Sequence, residues 1–267
     1  HIHWNKESIG GSTSYFPLPY AKSCIVRVEI DEEVMGNPRY YQINYRSYGK
    51  KAMVKTFSSY QAQILNEKIR TVSKLLSNPP LLENELISAR KKGVLAPGET
   101  STINLPVGQY LATGLKFQID IPDSLDYGEI MRKLRLTMEF DGTQTVDAPL
   151  GDFAGGGIGA YPVHSWFLEN NGKGRIVSRW PMPYKEKAQL NLKNNSNSEV
   201  VILLNVLSKK KEWTKNTMYF HAAWKQLDDI QLFHCSDDIS NPEAYPFNMA
   251  SLKGRGVFRG DVLSLVN

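Results

Sequence analysis

The sequence lacks the patterns that mark several large classes of protein. Two cysteines in 267 residues cannot build a disulfide framework, and neither the cysteines nor the five histidines have the spacing of a zinc site. No stretch approaches the roughly 18 consecutive apolar residues of a membrane-spanning helix. No phosphate-binding loop and no nucleophile elbow is present. These absences argue against a membrane-spanning protein, a metalloprotein and the common nucleotide-binding enzymes.

The basic charge is dispersed. The net charge is +5, but 32 basic residues are mixed with 27 acidic ones along the whole chain. The one dense basic run, Lys209-Lys210-Lys211, is interpreted as a solvated turn, since nucleic-acid binding requires clustered cations. We therefore predict no nucleic-acid partner. Cys24 lies in an apolar, strand-like segment, which favours a buried free thiol over a disulfide with Cys235.

Alternation of apolar and polar residues predicts a chain dominated by β-strands. One helix is predicted at 58–78, where a serine begins an apolar face and Asn78-Pro79-Pro80 ends it. A looser stretch with a helical turn is predicted at 81–93. The predicted strands are 24–30, 40–48, 114–121, 134–142, 189–194, 200–207 and 256–266.

A proline motif occurs twice. "YFPLPY" begins at Tyr15, and "RWPMPY" follows 164 positions later, beginning at Arg179. Proline is excluded from the middle of a sheet, so each motif indicates an edge or the start of a strand. The repeat predicts an all-β fold, a double jelly roll of two antiparallel β-sandwich units with a connecting helix. The predicted divisions are 1–57 for the first unit, 58–98 for the helical connector and 99–267 for the second unit.

Aromatic and polar side chains concentrate at the predicted strand ends of the second unit. Sugars present CH faces to aromatic rings and hydroxyls to carboxylate, amide and imidazole groups, so this mixture favours a carbohydrate. Core packing is the alternative for each aromatic residue, and a satisfied core histidine is the alternative for His221. We predict that most of these side chains converge near one end of the unit. The candidate substrate-binding residues are Asp152, Phe153, Trp166, Trp180, Tyr184, His221 and Trp224.

Four ordered motifs, "APLGDFAGGG", "RWPMPYKEKAQL", "MYFHAAWK" and "GRGVFRGDVLSL", resemble one family. It is the group called domain of unknown function 2961, which includes glycoside hydrolase family 172. The resemblance implies a double jelly roll that assembles as trimers or hexamers and needs no cofactor. It also implies retaining hydrolysis of α-D-fructofuranosides, including difructose dianhydride, or of D-arabinofuranosides. A periplasmic or secreted location is favoured by the resemblance, while a cytoplasmic one stays open.

The same resemblance leaves the catalytic residues unassigned. In the family the two glutamates lie in "GEG" and "GTGTED" motifs, and neither motif occurs in this sequence. Glu139, Glu169 and Glu199 do not match those motifs. The expectation is a furanosidase-type glycoside hydrolase seen without its catalytic pair, and its status as an enzyme stays open. The alternative is a non-catalytic jelly-roll protein that binds glycan or serves in assembly. The chain begins at His1 without a methionine, which suggests a trimmed chain.

Overall fold

The computed structural model describes residues 16–27, 42–79, 82, 86–228 and 250–264. The chain falls into two units, His1–Lys74 and Leu75–Asn267. The helices are α1 (Ser59–Ile64), α2 (Asn66–Ser77), α3 (Tyr127–Lys133) and α4 (Leu150–Phe153). The strands are β1 (Ile87–Leu95), β2 (Thr100–Asn104), β3 (Tyr110–Asp120), β4 (Leu134–Phe140), β5 (Thr143–Pro149), β6 (Val163–His164), β7 (Leu168–Asn170), β8 (Arg175–Ser178), β9 (Met182–Tyr184), β10 (Ala188–Asn194), β11 (Val200–Lys210) and β12 (Ala222–Ala223).

These strands form two sheets in the second unit. The seven-stranded sheet has the order β1-β11-β3-β8-β7-β6, and β9 also pairs with β3. The five-stranded sheet has the order β12-β5-β4-β10-β2. All pairings are antiparallel except the short one between β12 and β5. The second proline motif lies at β9, a three-residue strand, as the exclusion of proline from sheet interiors predicts.

The period-two pattern places one core between the two sheets. In β4, every second side chain from Leu134 to Phe140 is fully buried, and the side chains between them are only partly covered. β3 and β11 contribute Phe117 and Leu204 from the other sheet to the same cluster. Burying each such side chain stabilises the fold by about 1.5–3 kcal/mol. The all-β prediction is confirmed, while the double-jelly-roll topology stays a prediction.

The hairpin between β4 and β5 turns on Asp141 and Gly142. Both have positive φ, 51° and 83°, as the two central residues of a type I′ hairpin turn require. The Asp141 carboxylate also accepts hydrogen bonds from three successive backbone N–H groups at 185–187 and from the Tyr219 hydroxyl. One side chain thus fixes the hairpin, the segment before β10 and the chain at Tyr219.

Several predictions differ from the structure. The described parts of the predicted strands 24–30, 40–48 and 256–266 have no strand conformation. In the first unit, one backbone hydrogen bond of 2.7 Å joins Phe57 N to Pro19 O, two segments far apart in sequence. Alternation alone does not make a strand, because a strand needs a partner along its length. The Cys24 thiol is exposed, which corrects the prediction that it is buried; Cys235 lies outside the described residues.

The helices and turns predicted from local sequence also differ from the structure in three places. The predicted helix is interrupted at Leu65 and forms α1 and α2, with Ser58 capping α1 through its side chain. β1 occupies 87–95, where a helical turn was predicted, because it pairs along its length with β11. Lys209 and Lys210 are exposed but end β11 rather than forming a turn. The division 1–57, 58–98 and 99–267 stays a prediction. Within the described ranges, no helix is long and apolar enough to cross a bilayer.

Candidate functional site

Asp152 is held at the end of the five-stranded sheet by a short helix. α4 follows β5 without a break, and Leu150 and Phe153 are buried in the main core. Gly155, with φ of 78°, follows the helix and turns the chain into the glycine-rich loop. Because Leu150 and Phe153 are anchored in the core, the Asp152 side chain lies at its boundary, with 16% of its surface exposed.

Asp152 is largely buried and lies next to a positively charged side chain. Its Oδ2 lies 3.8 Å from Nη1 of Arg132. Burial raises the pKa of the Asp152 carboxyl above its ordinary value, and the charge of Arg132 and a hydrogen bond from the Trp224 side chain lower it without cancelling the effect of burial. Oδ2 is buried and accepts no hydrogen bond from any described residue. The carboxylate therefore retains acceptor capacity for a ligand.

Trp224 lies against two guanidinium groups. Cζ of Arg132 is 5.5 Å from the ring centroid and Cζ of Arg135 is 4.9 Å from it, within the range of cation–π contacts. Arg135 also pairs with Asp147, with 2.5 Å between Nε and Oδ1. We call these five residues (Arg132, Arg135, Asp147, Asp152 and Trp224) the Asp152 cluster. Trp224 thus contacts both arginines and also donates to the Asp152 carboxylate.

The segment that carries Trp224 alternates as a strand does. Phe220, Ala222 and Trp224 pack against the core, whereas His221 is exposed. β12, within this segment, pairs with β5 and brings Ala223 opposite Asp147. The exposure of His221 argues against the alternative of a core histidine, and its part in sugar binding stays a prediction.

A second aromatic group surrounds Trp180. Its ring stacks on Phe167 with the centroids 3.9 Å apart and the planes 3° from parallel. Phe220 approaches the same ring at 5.7 Å. Trp180 is half-buried, so part of its surface stays accessible. Trp166, just before Phe167 in the chain, is also half-buried.

Tyr184 and Phe153 fill the core. Tyr184 is fully buried between Tyr110 and Phe140, and its hydroxyl donates to the Pro106 carbonyl at 2.8 Å. Burial, with the charges of Tyr110 and Asp141, raises the pKa of Tyr184 well above its ordinary value. A buried phenol whose hydroxyl is hydrogen-bonded stabilises the core. The predicted part of Tyr184 in sugar binding stays a prediction.

The structure thus brings Asp152 and Trp224 into contact and connects them to Trp180 through Phe220. Arg132 and Arg135 were not among the sequence candidates. The signal that was available for Arg135 is the Asp-Gly turn, which folds β4 back on β5 and sets opposite charges on neighbouring strands. The assignment of the seven candidates to sugar binding stays a prediction. Among the described residues, no group of three or more His, Cys, Asp or Glu side chains is placed to hold a metal ion.

The second unit is thus a β-sandwich with a polar and aromatic cluster at the end of one sheet. Residues 1–64 match the family described as GH172 first beta-sandwich domain, and residues 86–202 match the family described as GH172 domain-like. The two ranges together take up well over half of the chain, which therefore belongs to the proteins related to glycoside hydrolase family 172. Arg132, Asp152 and Trp180 fall within the second range, and Trp224 lies beyond it. No curated protein matches the chain.

Proposed function

We propose that this glycoside-hydrolase-like protein binds furanosides, either α-D-fructofuranosides or D-arabinofuranosides, at the Asp152 cluster. The observation that carries the proposal is the buried Oδ2 of Asp152, which has an ion-pair partner at 3.8 Å but no hydrogen-bond donor among the described residues. A buried acceptor without a donor costs about 1–3 kcal/mol. A sugar hydroxyl that donates to Oδ2 recovers that free energy on binding.

The rest of the cluster suits the same ligand. Arg132 lies 3.8 Å from the carboxylate, and the charge of Arg135 also acts on it. Both carry N–H donors, and sugar ring and hydroxyl oxygens accept such bonds. Outside the cluster, the half-buried Trp180 ring, which contacts Phe220, offers an apolar surface for the CH face of a sugar. The family relationship supports a carbohydrate over other polyols. Assembly as a trimer or hexamer belongs to the same proposal.

Cleavage requires more than this sequence contains. A retaining glycosidase needs a nucleophile and an acid/base carboxyl about 5–5.5 Å apart. The two glutamate motifs that the family resemblance assigns to these roles do not occur in the sequence. We propose that the 267-residue polypeptide binds furanosides without cleaving them, and that retaining hydrolysis needs glutamates from outside this sequence. The missing motifs also favour the second candidate, a non-catalytic glycan-binding or assembly protein.

The test is calorimetric titration with difructose dianhydride and with a D-arabinofuranose oligosaccharide, beside a glucopyranose oligosaccharide as the control ligand. Asp152→Asn keeps the shape of the side chain but removes its charge, and it should weaken furanoside binding about tenfold, the loss expected for a charge-assisted hydrogen bond. Asp123→Asn, at an exposed loop position, is the matched control and should bind as wild type does.

Product analysis of the same mixtures should show no released sugar. Two results would overturn the proposal: equal affinity of the wild type and Asp152→Asn for the furanosides, or an affinity for the pyranose control as high as for the furanosides. Sugar release by the purified chain would contradict the part that concerns cleavage.

A further inference from the structure

The outer face of the seven-stranded sheet carries its own set of polar side chains. In β3, Phe117 and Ile119 point into the main core, so Lys116 and Gln118 point to the opposite face. Val177 of β8 belongs to a small hydrophobic cluster with Leu82 and Leu207 that is separate from the main core. The outer face is therefore partly covered near Val177 and polar elsewhere.

Strand register arranges these side chains in two adjacent rows. In the first row, Asn205 lies opposite Lys116, Lys116 opposite Val177, and Val177 opposite Glu169. His164 extends this row beyond Glu169, and Arg90 extends it beyond Asn205. In the second row, the order across the sheet is Lys92, Leu203, Gln118 and Arg175.

Two clefts open on this face and share part of their lining. One has a volume of about 310 Å³ and includes His164, Glu169 and Asn171. The other has a volume of about 150 Å³ and includes Lys116, Gln118 and Asn205. Arg175 and Val177 line both clefts, so the two adjoin. We call the combined feature the Arg175 groove.

The groove is positively charged. Neither Arg175 nor Lys116 has a carboxylate within ion-pair distance in the described part of the chain, and Arg90 and Lys92 on the same face have none there either. Glu169 is neutralised by Arg179, whose Nη2 lies 2.6 Å from its Oε1. Asp120, at the far end of β3, accepts a hydrogen bond from Gln118 at 2.8 Å. The strands thus leave an excess of cations facing the groove.

The floor of the groove also has an unfilled acceptor. Oδ1 of Asn205 is buried and receives no hydrogen bond from the described residues. Lys116 next to it is held in place, since its Nζ donates to the Leu82 carbonyl at 2.6 Å. The fixed ammonium group of Lys116, the guanidinium of Arg175 and the buried amide oxygen of Asn205 together can meet one carboxylate and one hydroxyl of the same ligand.

We propose that the Arg175 groove binds an acidic saccharide, with Arg175 forming paired hydrogen bonds to a uronate carboxylate and Asn205 accepting from a hydroxyl. The positive charge selects the acid, and the mixture of amide, imidazole and carboxylate groups suits a hydroxyl-rich ligand. The choice of a saccharide rests on the carbohydrate function proposed above. The site itself is distinct, because the Asp152 cluster is built on the other sheet.

The test uses digalacturonate as the probe, its neutral counterpart galactobiose, and inorganic phosphate, each titrated calorimetrically into the folded protein at low salt. Digalacturonate should bind, and Arg175→Gln should weaken it about tenfold or more, the cost of losing a charged hydrogen-bond donor. Lys193→Gln removes an exposed cation from the other sheet and is the matched control, with no change expected. A thermal melt of each variant checks that it is folded.

The outcomes separate this inference from the furanoside proposal. Loss of digalacturonate binding in Arg175→Gln but not in Asp152→Asn, together with loss of furanoside binding in Asp152→Asn alone, supports two sites. Equal binding of galactobiose refutes selection by charge, and equal binding of phosphate refutes a saccharide site. Failure of digalacturonate to bind the folded wild type, or an equal loss in Lys193→Gln, overturns the inference even if furanosides bind.

Discussion

Replacing Asp141 tests how the second unit is held together. Its carboxylate accepts hydrogen bonds from the backbone N–H groups of Lys185, Glu186 and Lys187 at 2.8–3.0 Å and from the Tyr219 hydroxyl at 2.8 Å. Asp141→Ala removes all four bonds at once. The positive φ of 51° adds a cost for alanine, which aspartate and asparagine tolerate better.

The size of the effect follows from these contacts. Each hydrogen bond to a charged group contributes about 1.5–3 kcal/mol when it is fully buried, and the partial exposure of this turn reduces that value. The sum for Asp141→Ala is therefore about 3 kcal/mol of unfolding free energy. For a unit of this size, 1 kcal/mol corresponds to roughly 2–4 °C, so the Tm should fall by about 6–12 °C. Asp141→Asn keeps one acceptor oxygen and should lose about half as much.

The pH dependence supplies the sharper test. Burial would raise the pKa of Asp141, but the three backbone N–H bonds and Tyr219 lower it below the ordinary value of 3.8. A carboxyl with a lowered pKa in the folded state stabilises the protein fully above the pKa of the unfolded state, and this stabilisation is lost as the pH falls through the folded pKa. The gap in Tm between wild type and Asp141→Asn should thus be constant near neutral pH and narrow below about pH 4.

The assay is thermal unfolding followed by circular dichroism between pH 7 and pH 3, with Asp123→Ala as the exposed control. Asp123→Ala should stay within about 0.5 kcal/mol of wild type. A Tm for Asp141→Ala within 1–2 °C of wild type at pH 7 would show that the four bonds contribute little. A difference in Tm between wild type and Asp141→Asn that stays the same from pH 7 to pH 3 would show that ionisation of this carboxyl does not stabilise the fold.

Two further substitutions probe tight points of the same unit. Gly174→Ala places a Cβ 1.9 Å from the Ile119 carbonyl oxygen at a φ of 89°, so it should lower the unfolding free energy by at least about 3 kcal/mol or prevent folding. The control Gly93→Ala, whose Cβ has nothing within 4 Å, should be tolerated. Equal melting temperatures of the two variants would contradict the close approach at Gly174. Asn194 is fully buried and donates to the Leu95 and Ser198 carbonyls at 2.9 and 2.8 Å, so Asn194→Ala should lower the unfolding free energy by about 3 kcal/mol in a denaturant titration. The exposed neighbour variant Asn195→Ala should change little, and a similar loss in both would rule out the buried bonds as the cause.

The sequence was most informative where one face of a strand is buried by its immediate neighbours. β4 and β10 could be predicted because strict alternation, as in Leu190 and Leu192, survives in a sheet that is solvated on its other face. β1 could not, because its middle is Ala-Arg-Lys-Lys, and only pairing with β11 makes it a strand. Edge strands commonly carry such charges, which protect the sheet from pairing with other chains.

The candidate site shows the same division. The short motif around Asp152 was found from the sequence because its residues are contiguous. The contacts of Trp224 were not, since Arg132 and Arg135 lie about 90 positions earlier and reach the indole only after β12 pairs with β5. Composition alone could not distinguish core aromatic residues from accessible ones, because Tyr184 in the core and Trp180 at its boundary belong to one motif.

One segment links the turn at Asp141 to the proposed furanoside site. The chain from 219 to 224 is attached at several points. Tyr219 donates to Asp141, Phe220 packs on Trp180, β12 pairs with β5, and Trp224 lies over Arg132 beside Asp152. Burial and the bond to Asp141 raise the pKa of Tyr219 to about 12, so this first attachment stays protonated across the neutral range. The bond at Tyr219 and the pairing of β12 with β5 together hold the segment that carries Trp224. Asp141 is therefore connected through this segment to the two arginines around Asp152, although it lies outside the Asp152 cluster.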